Sequence, residues 1–163
     1  MIKIVAATST PDFECISELA NIIWHEHYPT IISLEQIHYM LDKFNSAWAI
    51  QEQIQTGTLF FTMTYNGEPA GYLAVKKEDG FLFIAKLYVL KAFRGLKIAK
   101  TAMQFVESMA KKGGLLCLKL NVNKHNTKSI DAYERLGFVK TKSMITDIGD
   151  GYVMDDYEMT RFL

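Results

Sequence analysis

Cysteine is nearly missing from this chain of 163 residues, which holds only Cys15 and Cys117. Two are too few for a disulfide framework or for a zinc site built on cysteine. Long apolar runs are missing as well. Nothing approaches the roughly 18–20 residues of a membrane span, and Met1–Ala7 is far too short to serve as one. The N-terminus lacks the basic, apolar and small-residue layout of a signal peptide. No linker, internal repeat or low-complexity segment interrupts the chain. Hydrophobic residues make up 49% and charged residues 22%, close to globular averages, which excludes a disordered chain. A chain of this length buries roughly 68–70% of its extended surface on folding, so its core needs no staples. These absences leave a soluble cytoplasmic protein with one domain over residues 1–163 as the expectation.

Net charge is also absent, with 18 basic and 18 acidic residues, but the two signs are not mixed evenly. Residues 1–57 hold Lys3 and Lys43 against seven acids, a balance of 2 − 7 = −5. Residues 58–163 carry the other 16 basic residues and 11 acids, giving +5. Between Lys86 and Lys128 ten basic residues face the single acid Glu107. Lysine-rich surfaces are ordinarily solvated faces. A concentrated excess beside a loop–helix junction also focuses the potential a polyanionic ligand would feel. The acidic first third favours a cationic partner by the same reasoning.

The spacing of apolar residues predicts the order β-ααα-βββ-α-β-α-ββ. Met1–Ala7 reads as a strand. Thr10 is placed as an N-cap with Pro11 at the first helical position. Phe13, Ile16, Ala20, Ile23, Trp24 and His27 then form one helical stripe that ends before Pro29. Ser33–Gln36 is a capping box, opening a helix whose inner face is Leu34, Ile37, Leu41 and Phe44. A third helix spans about Ala47–Gln55. Thr58–Tyr65 and Ala70–Lys76 are strands joined by Asn66-Gly67, both tolerant of positive φ. Phe81–Val89 completes this meander. A helix with Ala99, Ala102, Met103, Val106, Met109 and Ala110 on one face comes next, then a buried strand over Leu115–Val122. Asn126 is read as the N-cap of a short helix closed by Gly137, and Phe138–Ile148 and Tyr152–Leu163 form a last hairpin. One strand–helix–strand unit must therefore be a right-handed parallel crossover.

Chemistry concentrates at Leu87–Lys100, where a buried strand feeds a tight turn that opens a helix. The first N–H groups of a helix have no partner within it and sit at the positive dipole end, which favours an anion. Arg94, Lys97 and Lys100 add charge at the same end. The Walker pattern and the Gly-x-Gly-x-x-Gly fingerprint are both absent, which argues against nucleotide hydrolysis and nicotinamide chemistry.

Arg94-Gly95-Leu96-Lys97-Ile98-Ala99 resembles the Arg/Gln-x-x-Gly-x-Gly/Ala phosphate loop of the GNAT superfamily of N-acetyltransferases. It departs at the middle glycine, replaced here by Lys97. Asn126-Thr127-Lys128-Ser129-Ile130-Asp131-Ala132-Tyr133-Glu134-Arg135-Leu136-Gly137-Phe138 is similar to the family's Asn-x-x-(Ala/Ser)-x-x-x-Tyr-x-x-x-Gly-Phe signature, with its spacing intact. The resemblance implies a mixed α/β fold: a mostly antiparallel central sheet with one splayed parallel strand pair, flanked by helices.

It implies acetyl-CoA as cosubstrate. Leu87 and Val89 would supply main-chain contacts to pantetheine, with Tyr88 between them and an N–H near Leu87 facing the oxyanion. Arg94, Gly95, Leu96, Lys97, Ile98, Ala99 and Lys100 would hold the pyrophosphate. Asn126 would lie near the cofactor arm, and Tyr133 would be the general acid beside the thioester sulfur. A free phenol has a pKa of about 10 and a thiol about 8.5, so complete transfer is uphill by roughly 2 kcal/mol. Tyr133 therefore hydrogen-bonds the sulfur unless the site lowers its pKa.

The base is less legible, because Phe81–Val89 contains no acid. Glu26, His25 and His27 around the end of the first helix, acting through water, are the candidates, with Glu26 put forward as the base. His27 also reads as part of the apolar stripe and Glu26 as a solvated residue. His25-Glu26-His27 lacks the His-Glu-x-x-His spacing of a zinc helix, and no metal is expected. Cys117 reads as a strand residue rather than a nucleophile. The expected reaction is direct attack of a primary amine on acetyl-CoA in a ternary complex. The acidic first third favours a small cationic amine such as a polyamine. A protein N-terminus or lysine, or a non-catalytic acyl-CoA-binding module, is the alternative. No nucleic acid or membrane partner is expected, and a homodimer is possible by analogy with relatives.

Overall fold

At Thr58 the hydrophobic period changes from helical to alternating, and the chain passes there from a helical layer into a sheet. The computed structural model describes residues 1–163. In chain order it contains β1 (Ile2–Ala6), α1 (Thr10–His27), α2 (Leu34–Asn45), α3 (Ala47–Gln55), β2 (Thr58–Tyr65), β3 (Glu68–Lys77) and β4 (Phe81–Val89). A 3₁₀ turn (Lys91–Phe93) leads to α4 (Ile98–Lys112), β5 (Cys117–Asn123), α5 (Thr127–Arg135), β6 (Val139–Gly149) and β7 (Tyr152–Phe162). The strands form one sheet in the order β1-β2-β3-β4-β5-β7-β6. Every neighbouring pair is antiparallel except β4 and β5. This is the mixed sheet with one parallel pair that the resemblance implied.

Alternation along the strands sends side chains to two separate cores. Phe61, Met63, Leu73 and Val75 meet Ala102, Met103 and Val106 of α4 on one face. Phe60, Tyr72 and Ala74 meet Ile16, Ile23, Trp24, Ile37 and Ile50 of α1–α3 on the other. Both faces of the sheet are thus covered, as a parallel crossover requires.

Several local boundaries differ from expectation. The N-cap of α1 is Ser9 rather than Thr10, and Pro11 takes the second helical position. The reason lies in Asp12, whose carboxylate accepts the Thr8 and Ser9 amides at 2.9 and 3.1 Å. Those hydrogen bonds hold its carboxyl below the usual range. Leu34 is exposed at the start of α2, and Met40 fills the inner face instead. β5 begins at Cys117 because the Leu115 amide is already used, donating to Ala110 O at 3.0 Å to close α4. Asn126 occupies the N-cap position of α5, but its side chain makes no capping hydrogen bond.

The consequential irregularity is in β4. Ala74 pairs with Lys86 and Val75 with Ile84, leaving Ala85 as one extra residue. A bulge of this kind bends the strand and reverses the facing of the residues beyond it. Leu82 and Ile84 before it, and Leu87 and Val89 after it, therefore all face the α4 core. Lys86 and Tyr88 turn to the α1–α3 side. Opposite the end of β4, Gly71 leaves the room that the Tyr88 carbonyl occupies; a Cβ there would overlap it.

Candidate active site

Parallel pairing of β4 and β5 runs only from Phe81–Cys117 to Ile84–Leu120. Past the bulge the two strands part. A cavity of about 670 Å³ opens between them, lined by Leu87, Tyr88 and Val89 of β4, Val122 of β5, and Ala132 and Tyr133 of α5. Asn126, Arg94 and Ala99 also border it. The β5-facing backbone groups of Ala85–Val89 have no strand partner there, so an extended ligand arm can take the place of a strand.

Beside it, a second cavity of about 370 Å³ sits on the turn into α4, lined by Val89, Phe93, Arg94, Gly95, Lys97, Ile98, Ala99 and Lys100. Gly95 and Lys97 both adopt left-handed backbone, at φ 83° and 66°. Alternation of this kind curls successive amides into an anion-binding concavity. The first intrahelical bond is Thr101 N–H to Lys97 O at 3.0 Å, so the preceding amides at this helix end are free of helical partners. Arg94 Nε donates to Val89 O at 3.3 Å, fastening the loop to the strand end. Donors, charge and shape fit a diphosphate. Leu96 is 38% exposed and lines neither cavity.

Burial shifts the titration of several groups around the larger cavity. It pushes the Tyr133 phenol up to about 12. Tyr28 and Tyr88, whose hydroxyls lie 2.9 Å apart, are also raised by burial. Lys86 goes the other way, to about 7, through desolvation alone. Its ammonium donates to Phe44 O and stands 5.1 Å over the Phe60 ring, with no carboxylate paired to it. Burial, then Arg94, lowers His27 and favours a neutral imidazole, against the opposing effect of Asn126. Asp156 of β7 is 7% exposed, lines the cavity, and has an Oδ1 with no hydrogen-bond partner. Burial and its neighbour Asp155 raise it to about 6.

The sequence candidates therefore divide. Leu87, Tyr88, Val89, Arg94, Ala99, Asn126 and Tyr133 converge on one cleft, and Gly95, Lys97, Ile98 and Lys100 on its annex. Glu26 does not join them. Its exposed carboxylate accepts the Lys91 amide at 3.3 Å on the outer side of α1. His25 also faces away, its Nε2 3.3 Å from His38 Nε2. The site of Tyr133 raises its pKa rather than lowering it. Sequence reasoning misses Asp156 and Lys86, though each leaves a signal. Adjacent strand residues face opposite sides, so one of Asp155 and Asp156 has to point inward. Lys86 interrupts an otherwise apolar strand.

A sheet covered by helices on both faces, with a parallel pair splayed above an amide-rich loop, is the arrangement that the resemblance to acetyl-CoA-dependent transferases implied. The model of the acetyltransferase (GNAT) family matches residues 16–138, and the chain belongs to that family. Membership makes it an acetyltransferase with acetyl-CoA as cosubstrate. The chain is 26% identical over 155 residues to the spermidine N(1)-acetyltransferase of Thermoplasma acidophilum, covering 92% of this chain and 94% of that protein. In fold it is similar to the PaiA N-acetyltransferase of Thermoplasma acidophilum in complex with coenzyme A, at TM-score 0.81 and 24% identity, over 100% and 99% of the two chains. A GNAT-family acetyltransferase of Staphylococcus aureus superposes at TM-score 0.76 with 19% identity, over 100% and 99%.

The geometry of Lys97 and Lys86 leads to two expected outcomes. A non-glycine residue in the left-handed region costs about 1–2 kcal/mol, so Lys97→Gly is expected to raise the urea midpoint. It should also weaken acetyl-CoA binding in calorimetry through loss of the ammonium. Lys86 binds its proton less tightly folded than unfolded, so the unfolded chain carries more protons between about pH 7 and 10, and stability rises with pH in that window. Lys86→Met is therefore expected to be more stable than the parent at pH 7, with the advantage shrinking toward pH 10. Denaturation midpoints at both pH values check the sign.

Proposed function

We propose that this protein transfers acetyl from acetyl-CoA to a small primary amine by direct attack in a ternary complex, without a covalent acyl-enzyme. The single observation that carries the reading is the parting of β4 and β5 above the Gly95–Lys97 turn. In this reading the loop from Arg94 to Lys100 holds the diphosphate, mainly through amides, and the freed backbone of Leu87 and Val89 holds the pantetheine arm. A main-chain N–H near Leu87 faces the oxyanion and stabilises it as charge develops. Asn126 and Tyr133 border the thioester end. Transfer from a phenol near 12 to a thiolate near 8.5 is uphill by about 5 kcal/mol. Tyr133 therefore serves as a hydrogen-bond donor to the departing sulfur, not as a full acid. The two cysteines are free thiols, in keeping with a cytoplasmic setting.

For the acceptor we propose a polyamine. Similarity to a spermidine N(1)-acetyltransferase over most of both chains supports this. The acidity of residues 1–57 does not: none of its seven acids is buried and none lines the cavity. The carboxylate available to an ammonium there is Asp156. Lys86, titrating near 7, is part-neutral at physiological pH and so tolerates a cation nearby.

Free-thiol release from acetyl-CoA, measured against spermidine, spermine, putrescine and a panel of peptides, tests the proposal. Spermidine and its homologues are expected to give the highest kcat/KM. Activity on peptides alone would replace the polyamine with a protein acceptor, and calorimetric binding without thiol release would leave an acyl-CoA-binding module. Tyr133→Phe is expected to lower kcat by about 10–10²-fold, the worth of one hydrogen bond to a charged group, with acetyl-CoA affinity unchanged.

A further inference from the structure

We propose that Asp156 is the general base that takes the proton from the acceptor ammonium, an assignment resting on the acetyl-transfer reading above. The carboxylate lies within the sheet at a point where β7 still pairs on both sides, with Asn123 of β5 and Met144 of β6. Its backbone is therefore fixed, while its side chain borders the cleft that β5 opens by leaving β4. Buried carboxylates normally accept hydrogen bonds from the fold, because an unpaired buried charge is costly. Asp156 Oδ1 has no such partner. The charged neighbour Lys124 is committed elsewhere, at 2.7 Å from Asp155 on the opposite face of the strand. A carboxylate that borders the substrate cavity from a fixed backbone, with one oxygen left unpaired by the fold, is an acceptor kept for a ligand's proton.

The surroundings fit that task. Around this end of the cavity stand the hydroxyls of Tyr28 on α1, Tyr88 on β4 and Tyr133 on α5; the first two feel the charge of Asp156. The cations Lys86, Arg94 and Lys128 border the same cavity, and His27 is held neutral there. Asp155 raises Asp156 and Lys124 lowers it. All three phenols stay protonated at neutral pH, so the carboxylate is the anionic acceptor at that end. A base that titrates near neutrality accepts a proton better than an ordinary aspartate while remaining ionised at pH 7.

The step balances. The ammonium gives one proton to Asp156, and the freed lone pair forms the N–C bond at the thioester carbonyl. The C–S bond then breaks, and its electron pair leaves with sulfur. The second nitrogen proton is lost to solvent and the thiolate, steadied by the Tyr133 hydrogen bond, takes up a proton from solvent on release, giving the amide and free coenzyme A. Asp156 returns its proton to solvent.

Asp156→Asn tests this. The variant removes an unpaired buried charge, so its melting temperature is expected to hold or rise. Its kcat on spermidine is expected to fall by about 10²–10³-fold, within the range of a lost general base. The acid limb of kcat/KM near pH 6 should vanish. With hydroxylamine, an acceptor already neutral at the assay pH, the deficit should largely disappear. Carboxyl-carbon NMR of the free protein should find Asp156 titrating near 6. Turnover within threefold of the parent with the limb retained, a rise in KM alone, or titration in the ordinary aspartate range would each overturn the assignment. If the parent protein releases no thiol with any amine, the acetyl-transfer reading itself falls, independently of where Asp156 titrates.

Discussion

The separation of β4 from β5 after four paired residues is the constraint on which the rest of the molecule depends. The extra residue at Ala85 bends β4 and exchanges the two faces of its last four residues. Leu87 and Val89 stay on the α4 core, which anchors the end of β4 that has parted from β5. Lys86 and Tyr88 are delivered to the helical side, where α1–α3 form the far wall of the cavity. Without the bulge those four side chains would trade places, and the cleft wall would lose its phenol and its lysine. Gly71 on β3 is part of the same device, since a side chain there would displace the Tyr88 carbonyl.

Low polarity in the cleft then tunes whatever it holds. Desolvation disfavours every charged form, raising acids and lowering bases. It moves Tyr133 to about 12, Asp156 to about 6 and Lys86 to about 7. One physical cause thus keeps a phenol protonated for hydrogen bonding while bringing a carboxylate and an amine close to neutral pH. The loop before α4 works by the opposite principle. It lies near solvent, where formal charge is cheap, and uses Arg94, Lys97 and Lys100 with amides turned outward by left-handed backbone. Lys97 accepts the strain that a glycine would avoid and adds a cation in return.

Much of the site is readable along the chain because its parts lie on two contiguous segments. Arg94–Lys100 and Asn126–Phe138 each carry residues whose spacing is set by one turn or one helix, so local geometry fixes their relation. Tyr133 comes after Asn126 by nearly two helical turns, which places both toward the cleft. The points where sequence and structure disagree share a cause. Glu26 lies next in sequence to the apolar stripe of α1, but a helix turns about 100° per residue, and one step carries it outside. Thr10 precedes Pro11 as a cap would, while the carboxylate of Asp12 reaches back to the amides of Thr8 and Ser9 and makes Ser9 the boundary.

The linear order of residues determined the helical and strand periods, the loop that opens α4, the Asn126–Tyr133 spacing and hence the family, since each depends on neighbours within a few turns. Tertiary structure alone decided that Asp156, far along the chain from the loop, would border the same cavity as Tyr28 and Tyr88. It also decided that the carboxylate would arrive there without a partner. Strand order and the bulge at Ala85 bring those groups together, and the low polarity that shifts their protons exists only once both cores have closed around them.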